Sequence, residues 1–439
     1  MFLLSEPEAR ALIDKILALS TADETSVTLS GGRTGNIRYA RNSVTTSGEK
    51  EDRVATITVA FGKRSGSAST NEWTDDALRA AVRQAEETAR LAPENPEFLP
   101  APGPQNYGTA ANFSAGTAAM TPARRAALAL AALNVTRSGS LSGAGYLEDT
   151  TSFTALGNSR GLFAYNRGTV AGFTASARTG DGTGSGYAAR TYTDVSELDA
   201  GAAARMAAQK ALASRNARTL PPGKYTVILE PAAVADFLPF FLSALDARNA
   251  DEGRSYFGKK GGGNRLGEKL FADGITLYTD PFNARVPGRP FAADGRPVER
   301  TAWVEQGVLR NFHYSRYWAG KQGVKAVPLT SESLILQGSD RSLEDLIKGS
   351  DKTILVTRCF YMRSVDPQSI LVTGLTRDGV FWIENGKIAH AVKNFRFNES
   401  PVNLFRNLED LGRAERVGAS LVPPLKVRDF NFSSLSDAV

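Results

Sequence analysis

The rhythm of apolar and polar positions changes along the chain, and each change predicts an element. After Pro7 the apolar residues Leu12, Ile13, Ile16 and Leu17 recur at helical spacing, which predicts an amphipathic helix. Alternation then takes over at 26–29, 36–40 and 54–61, the period of half-buried strands. A small-residue stretch at 62–70 leads to Trp73-Thr74-Asp75. There a Thr or Asp can cap an alanine-rich helix over 76–90, a position that acids also favour through the helix dipole.

The same signals then return in the same order. Thr121-Pro122 opens a second helix, with Thr121 as its cap and Pro122 in its first turn. Alternating segments follow at 152–156, 161–165 and 170–177, then small residues at 180–190, Tyr192-Thr193-Asp194 and a helix over 198–213. Asn42-Ser43 recurs as Asn158-Ser159. A duplicated helix–strands–helix unit is therefore expected, with copies at about 7–92 and 122–215. The proline-rich linker 93–106 joins them within a domain spanning 1–220.

Beyond Lys224 the pattern is different. A strand at 225–229 precedes a helix over 232–247, in which Phe237, Phe240, Phe241 and Leu242 suit a core or a subunit interface equally well. A long irregular stretch, 249–300, is followed by short strand patterns at 302–305, 308–314, 353–359, 370–375, 379–383 and 387–392. Asn385-Gly386 is a two-residue hairpin signal, because both residues accept positive φ. Many short strands with tight turns imply a curled antiparallel sheet or barrel in a second domain, 221–439. The expected class is α+β: an N-terminal α/β half and a C-terminal antiparallel, β-rich, barrel-like domain.

Composition narrows the chemistry. Among 439 residues there are two histidines, His313 and His390, and one cysteine, Cys359. Catalytic zinc usually takes three protein ligands, and neither histidine belongs to an HExxH-like pair. Cys359 reads as a half-buried strand cysteine, and a single cysteine fits a reducing compartment. The start, Met1 to Glu6, places three apolar residues before the acid, unlike a signal peptide. The most apolar later run, 225–245, contains Glu230, Pro231, Asp236 and Pro239, which a membrane span would not carry. A cytoplasmic protein is expected. Net charge is +6, from 52 basic and 46 acidic residues without like-charge blocks, so no dedicated nucleic-acid surface is expected. The glycine run Gly261-Gly262-Gly263-Asn264-Arg265-Leu266-Gly267 lacks the strand–loop–helix setting of a phosphate cradle and reads as a flexible loop.

An ordered set of segments in the second half resembles the TldD/PmbA family. It comprises Asp280-Pro281-Phe282, the stretch 303–309 (WVEQGVL), 381–388 (FWIENGKI), 407–411 and the ending 417–427 (VGASLVPPLKV). No single motif decides; the order does, and the likeness extends over nearly the whole chain. The resemblance implies a cytoplasmic peptidase complex of two related subunits. One, TldD-like, holds zinc through a helical HExxxH motif and a late cysteine, and the other, PmbA/TldE-like, lacks that site. On ungapped matching, Pro231 and Asp236 stand where the histidines would be, Ala232 where the glutamate base would be, and Val417 where the cysteine would be.

The resemblance thus implies a non-catalytic subunit, with no catalytic residue, cofactor or metal of its own, of a complex that trims unstructured peptides. Zinc is expected in a TldD-like partner in a heterodimer, and a homodimer is the other assembly. No nucleic-acid or membrane partner is expected. Arg254, Tyr256, Gly261, Gly262 and Gly263 are the candidate substrate-facing residues, on a flexible loop beside the altered helix. A stand-alone peptide-binding or scaffold protein is the rival reading. A hydrolase using a carboxylate pair also stays open, since spacing alone does not locate such a pair.

Overall fold

The structure, a computed structural model, describes residues 3–436; Met1 and Phe2 of the start read above lie outside it. A capping box between Ser5 and Glu8 opens helix α1 (Glu6–Leu17). Strands β1 (Glu24–Ala40), β2 (Ser43–Phe61) and β3 (Arg64–Thr70) follow, then α2 (Asp75–Leu91), capped by Thr74. After the short α3 (Ala115–Ala118) the order repeats as α4 (Pro122–Ser138), β4 (Ser142–Asn158), β5 (Phe163–Arg178), β6 (Ser185–Tyr192) and α5 (Ala200–Ala213).

These strands form one antiparallel sheet ordered β3-β2-β1-β4-β5-β6, which reads alike from either end. At its centre the Thr34 and Thr150 hydroxyls meet at 3.1 Å, and the two residues are 116 positions apart. Asn158 follows Asn42 at that same separation; Asn158 ends β4, and Asn42 lies in the turn just after β1. At these reversals Asn42 ties its turn to α4 and β4 of the second unit, whereas Asn158 holds its own turn into β5. Asn42 Oδ1 accepts from the Gly143 N–H (2.7 Å) and the Thr136 hydroxyl (2.8 Å), while Asn158 Oδ1 accepts from the N–H groups of Arg160 (3.0 Å) and Leu162 (3.1 Å). Two copies of one unit would produce this arrangement.

The strands are longer than the alternation predicts. Segments 26–29 and 36–40 belong to one strand, because β2 and β4 hydrogen-bond β1 on both edges straight through Gly31, Gly32 and Gly35. At Gly32 a Cβ would sit 2.7 Å from the Thr151 carbonyl, so bare backbone is required there. The small-residue stretches are themselves edge strands, β3 and β6, with helices pressed onto them. A Cβ on Gly66 would lie 2.3 Å from the Ala85 carbonyl of α2, and one on Gly186 would lie 2.1 Å from the Ala207 carbonyl of α5. The expected cap at Asp194 holds only a short 3-10 turn, 195–197; Asp199 caps α5. One face of the sheet buries Val27, Leu29, Phe153 and Phe173 against the helices.

The C-terminal half begins with β7 (Gly223–Leu229). The single helix expected over 232–247 is three short ones: α6 (Pro231–Ala235), α7 (Leu238–Ser243) and α8 (Ala247–Asp251). Pro239 has no N–H to continue the first helix, and Asp246 caps the third through the Asn249 N–H (2.8 Å). The remaining elements are β8 (Leu277–Thr279), β9 (Thr301–Glu305), β10 (Val308–Leu309), α9 (Arg316–Gln322), β11 (Leu334–Leu336) and α10 (Leu343–Lys348). After them come β12 (Thr353–Asp366), β13 (Leu371–Glu384), β14 (Lys387–Ala391), β15 (Phe395–Glu399) and α11 (Pro401–Arg406). The chain closes with β16 (Leu408–Leu411), β17 (Glu415–Val417), β18 (Ser420–Val422) and β19 (Leu425–Leu435).

Strands β12, β7, β19, β15 and β13 form a ring, closed by the pairing of β13 with β12. The β7–β12 contact is parallel, which the hairpin pattern did not imply. A parallel pair needs a long crossover, and here most of the domain separates the two strands. Asn385 and Gly386 take positive φ (51° and 74°), as the hairpin between β13 and β14 requires. A second sheet, β10-β9-β8-β11-β18-β17, packs with the ring around Phe237, Phe241, Trp303 and Phe397.

Candidate functional site

Helix α6 starts directly at the end of ring strand β7, which fixes its direction. Glu230, 8% exposed, ties down its first turn. Its carboxylate accepts from Lys210 Nζ of α5 at 2.6 Å and from the Thr357 hydroxyl of β12 at 3.2 Å. On its other side α6 packs against β17. This packing brings together positions far apart in sequence. Ala232, Asp236 and Val417 share the lining of a cavity of about 480 Å³ with Tyr187, Phe360 and Tyr361. Pro231, Ala232 and Val417 border a second cavity, about 400 Å³, beside Lys210 and Glu230. The four positions that the resemblance assigns to zinc chemistry therefore converge on one region.

The side chains present there do not fit that metal. Pro231, Ala232 and Val417 offer no donor atom, leaving the Asp236 carboxylate where three ligands are needed. Among the described residues no group of three or more His, Cys, Asp or Glu is placed to share an ion. His313 meets the Val327 carbonyl (2.8 Å) and His390 the Ala391 carbonyl (3.1 Å), and neither lines these cavities.

Asp236 is reached by solvent yet stands on the floor of a concavity. Lost hydration pushes its pKa up to about 6, against the downward pull of the Cys359 backbone N–H and the nearby Arg358. Cys359 is buried, and burial followed by the Asp236 charge raises its thiol well above the ordinary value, so it is no ready nucleophile. Arg358 is held by Asp378, with Nε donating at 2.7 Å and Nη2 closer still, and it lies 3.9 Å over the Tyr187 ring. Phe360 and Tyr361 remain 40% and 64% exposed at the rim. The arrangement offers apolar faces, one carboxylate and one paired guanidinium.

The five loop candidates lie elsewhere. Arg254 pairs with Glu252, and the Tyr256 hydroxyl accepts from Arg406 Nη2 at 2.5 Å while its ring packs on Phe257. Gly261, Gly262 and Gly263 take positive φ (96°, 106° and 78°) with open space around each. None of the five lines either cavity bounded by α6. The sequence reading missed Tyr187, Arg358, Phe360 and Tyr361; the aromatic-rich run Cys359-Phe360-Tyr361 was the available signal. Of the cluster at 237–242, Phe237, Phe241 and Leu242 belong to the core, while Phe240 faces the first cavity.

Family models cover the chain in three consecutive pieces. Residues 26–89 match PmbA/TldA metallopeptidase domain 1, residues 117–215 the central domain, and residues 222–434 the C-terminal domain. The chain belongs to the PmbA/TldD family. A metalloprotease of Methanothermobacter thermautotrophicus is 26% identical over 253 residues, which is 54% of this chain and 52% of that protein. Metalloprotease PmbA of Escherichia coli is 24% identical over 174 residues, 37% of each chain. These alignments span about half or less of those relatives' lengths. TldE of Thermococcus kodakarensis has the same fold, with a TM-score of 0.86 at 19% identity, covering 97% of this chain and 99% of that one. In this member of the family, Pro231, Ala232, Asp236 and Val417 border the two cavities beside α6. Among the described residues no helix is long and apolar enough to cross a membrane.

Proposed function

We propose that this chain is a PmbA/TldE-like subunit without zinc, which completes the peptide-holding chamber of a cytoplasmic metallopeptidase complex. The observation that carries this reading is the convergence of Pro231, Ala232, Asp236 and Val417 around one aromatic-walled region with a single donor among them. A fold that keeps the pocket and loses the ligands has kept binding and given up water activation, which needs a Lewis acid or a poised base. The partner is a TldD-like subunit that supplies zinc, and the substrate is an unstructured peptide. A second copy of this chain is the other assembly.

The test is reconstitution of both subunits, singly and together, on an unstructured peptide. The chain alone leaves the peptide intact, and adding it raises the partner's cleavage. Chelator-sensitive cleavage by this chain alone would sink the reading, and so would a partner that works equally well without it.

A further inference from the structure

Across β17 from the α6 cavities, an opening of about 410 Å³ lies against the N-terminal sheet. Thr150, Ser152 and Thr154 of β4 line it, and as alternate strand residues they share the face turned away from the buried core. Two arginines, Arg289 and Arg416, line the same opening. Arg416 donates to the Thr193 hydroxyl (3.0 Å) and to the carbonyls of Arg285 (3.2 Å) and Gly418 (3.2 Å), all neutral groups. Burial pulls its pKa down, outweighing the upward pull of the nearby Glu197 charge, with which it makes no direct ion pair. Arg289 Nε is buried without a hydrogen-bond partner. The one carboxylate lining the opening, Glu332, accepts from the Arg289 backbone N–H at 2.9 Å. One carboxylate against two guanidiniums leaves the opening net positive.

A buried guanidinium N–H left without an acceptor, as at Arg289 Nε, is costly, and planar oxyanions match the fork of donors that an arginine presents. We infer that this groove binds an oxyanion, either the carboxylate at a peptide's C-terminus or a phosphate group. The peptide source rests on the proposed peptide-handling role. Arg416 precedes Val417 on β17 and also lines the second α6 cavity, so a peptide passing α6 meets Arg416 next. The hydroxyls of Thr150, Ser152 and Thr154 supply the neutral donors that complete an anion's shell.

The test uses calorimetry on the full chain with three probes: an Nα-acetylated peptide with a free C-terminal carboxylate, its C-terminal amide, and inorganic phosphate. The free carboxylate is expected to bind at least about ten-fold more tightly than the amide, the scale of charge-assisted bonds. Arg289→Gln and Arg416→Gln should each abolish that preference. Arginine-dependent phosphate binding without any carboxylate preference supports the oxyanion site and names phosphate as its source. Binding of all three probes that neither variant changes would overturn the inference. Because Arg416 also ties β17 to Thr193, thermal melting accompanies its variant, and Arg289→Gln decides the matter if that variant unfolds. Activation of the zinc-bearing partner on the amidated peptide, measured separately, judges the subunit reading without involving this groove.

Discussion

Beneath α4, Arg125 donates to Asp149 (2.5 and 3.2 Å) and to Glu49 (2.8 Å); beside α6, Arg358 binds Asp378 while Asp236 faces open space. The first cluster is closed. Arg125 is 0% exposed and Asp149 2%, and the guanidinium fits only because Gly35 has no Cβ, which would fall 1.9 Å from it. The second cluster surrounds a cavity, with aromatic rings left at its rim. Similar charges thus serve as internal scaffold in one place and as lining in the other, and the difference lies in whether every carboxylate has been claimed.

The sharpest way to break this comparison is to remove Arg125. Arg125→Met strands the buried Asp149, and the expected cost is about 3–5 kcal/mol in urea unfolding. Arg358→Met, by contrast, is expected to cost less, because Arg377 lies 3.9 Å from the buried Asp378 carboxylate and still offers it a positive charge. Equal losses would dissolve the distinction.

A smaller effect tests the two halves of the N-terminal sheet against each other. Asn42→Ala and Asn158→Ala each remove side-chain bonds that hold a chain reversal, so each is expected to cost about 1–3 kcal/mol. A loss confined to one of them would mean that the two asparagines do different work.

These expectations also show which parts of the molecule were legible in the chain. Alternation at Val27/Leu29 and Ile37/Tyr39 announced strands, but the glycines between them hid their continuity, because backbone pairing on both edges leaves no side-chain trace. Closure of the ring through β12–β13 and the parallel β7–β12 pair join segments whose local pattern says nothing about partners. The break at Pro239 stood in the sequence; its weight in splitting the helix was missed. At the site, the positions 231, 232, 236 and 417 were reachable only through family likeness. The glycines of the loop 254–263 mark a flexible, exposed turn and by themselves carry no information about a cavity. Arg289 and Arg416 meet only in three dimensions.

The smallest effect concerns pH. Asp236 has an ordinary pKa of 3.8, raised to about 6 in the fold mainly by lost hydration. Within that window the folded state holds the proton more tightly than the unfolded state, so this group's contribution to stability falls as pH rises. Asp236→Asn should therefore gain slightly on the parent at pH 7, with the gain disappearing below about pH 4. Because solvent reaches the carboxylate, the gain should be small. A variant less stable than the parent at pH 7 would mean that Asp236 has an ionic partner in the fold.

The proposed subunit role implies that α6 and β17 keep the frame of a zinc site without its donors. The most direct measurement is zinc stoichiometry in the parent chain and in the variant Pro231→His/Ala232→Glu/Asp236→His/Val417→Cys, after mild chelation and reloading. The account expects no stoichiometric zinc in the parent and near one ion per chain in the folded variant. Near one zinc per parent chain, or a folded variant that takes up none, would contradict it.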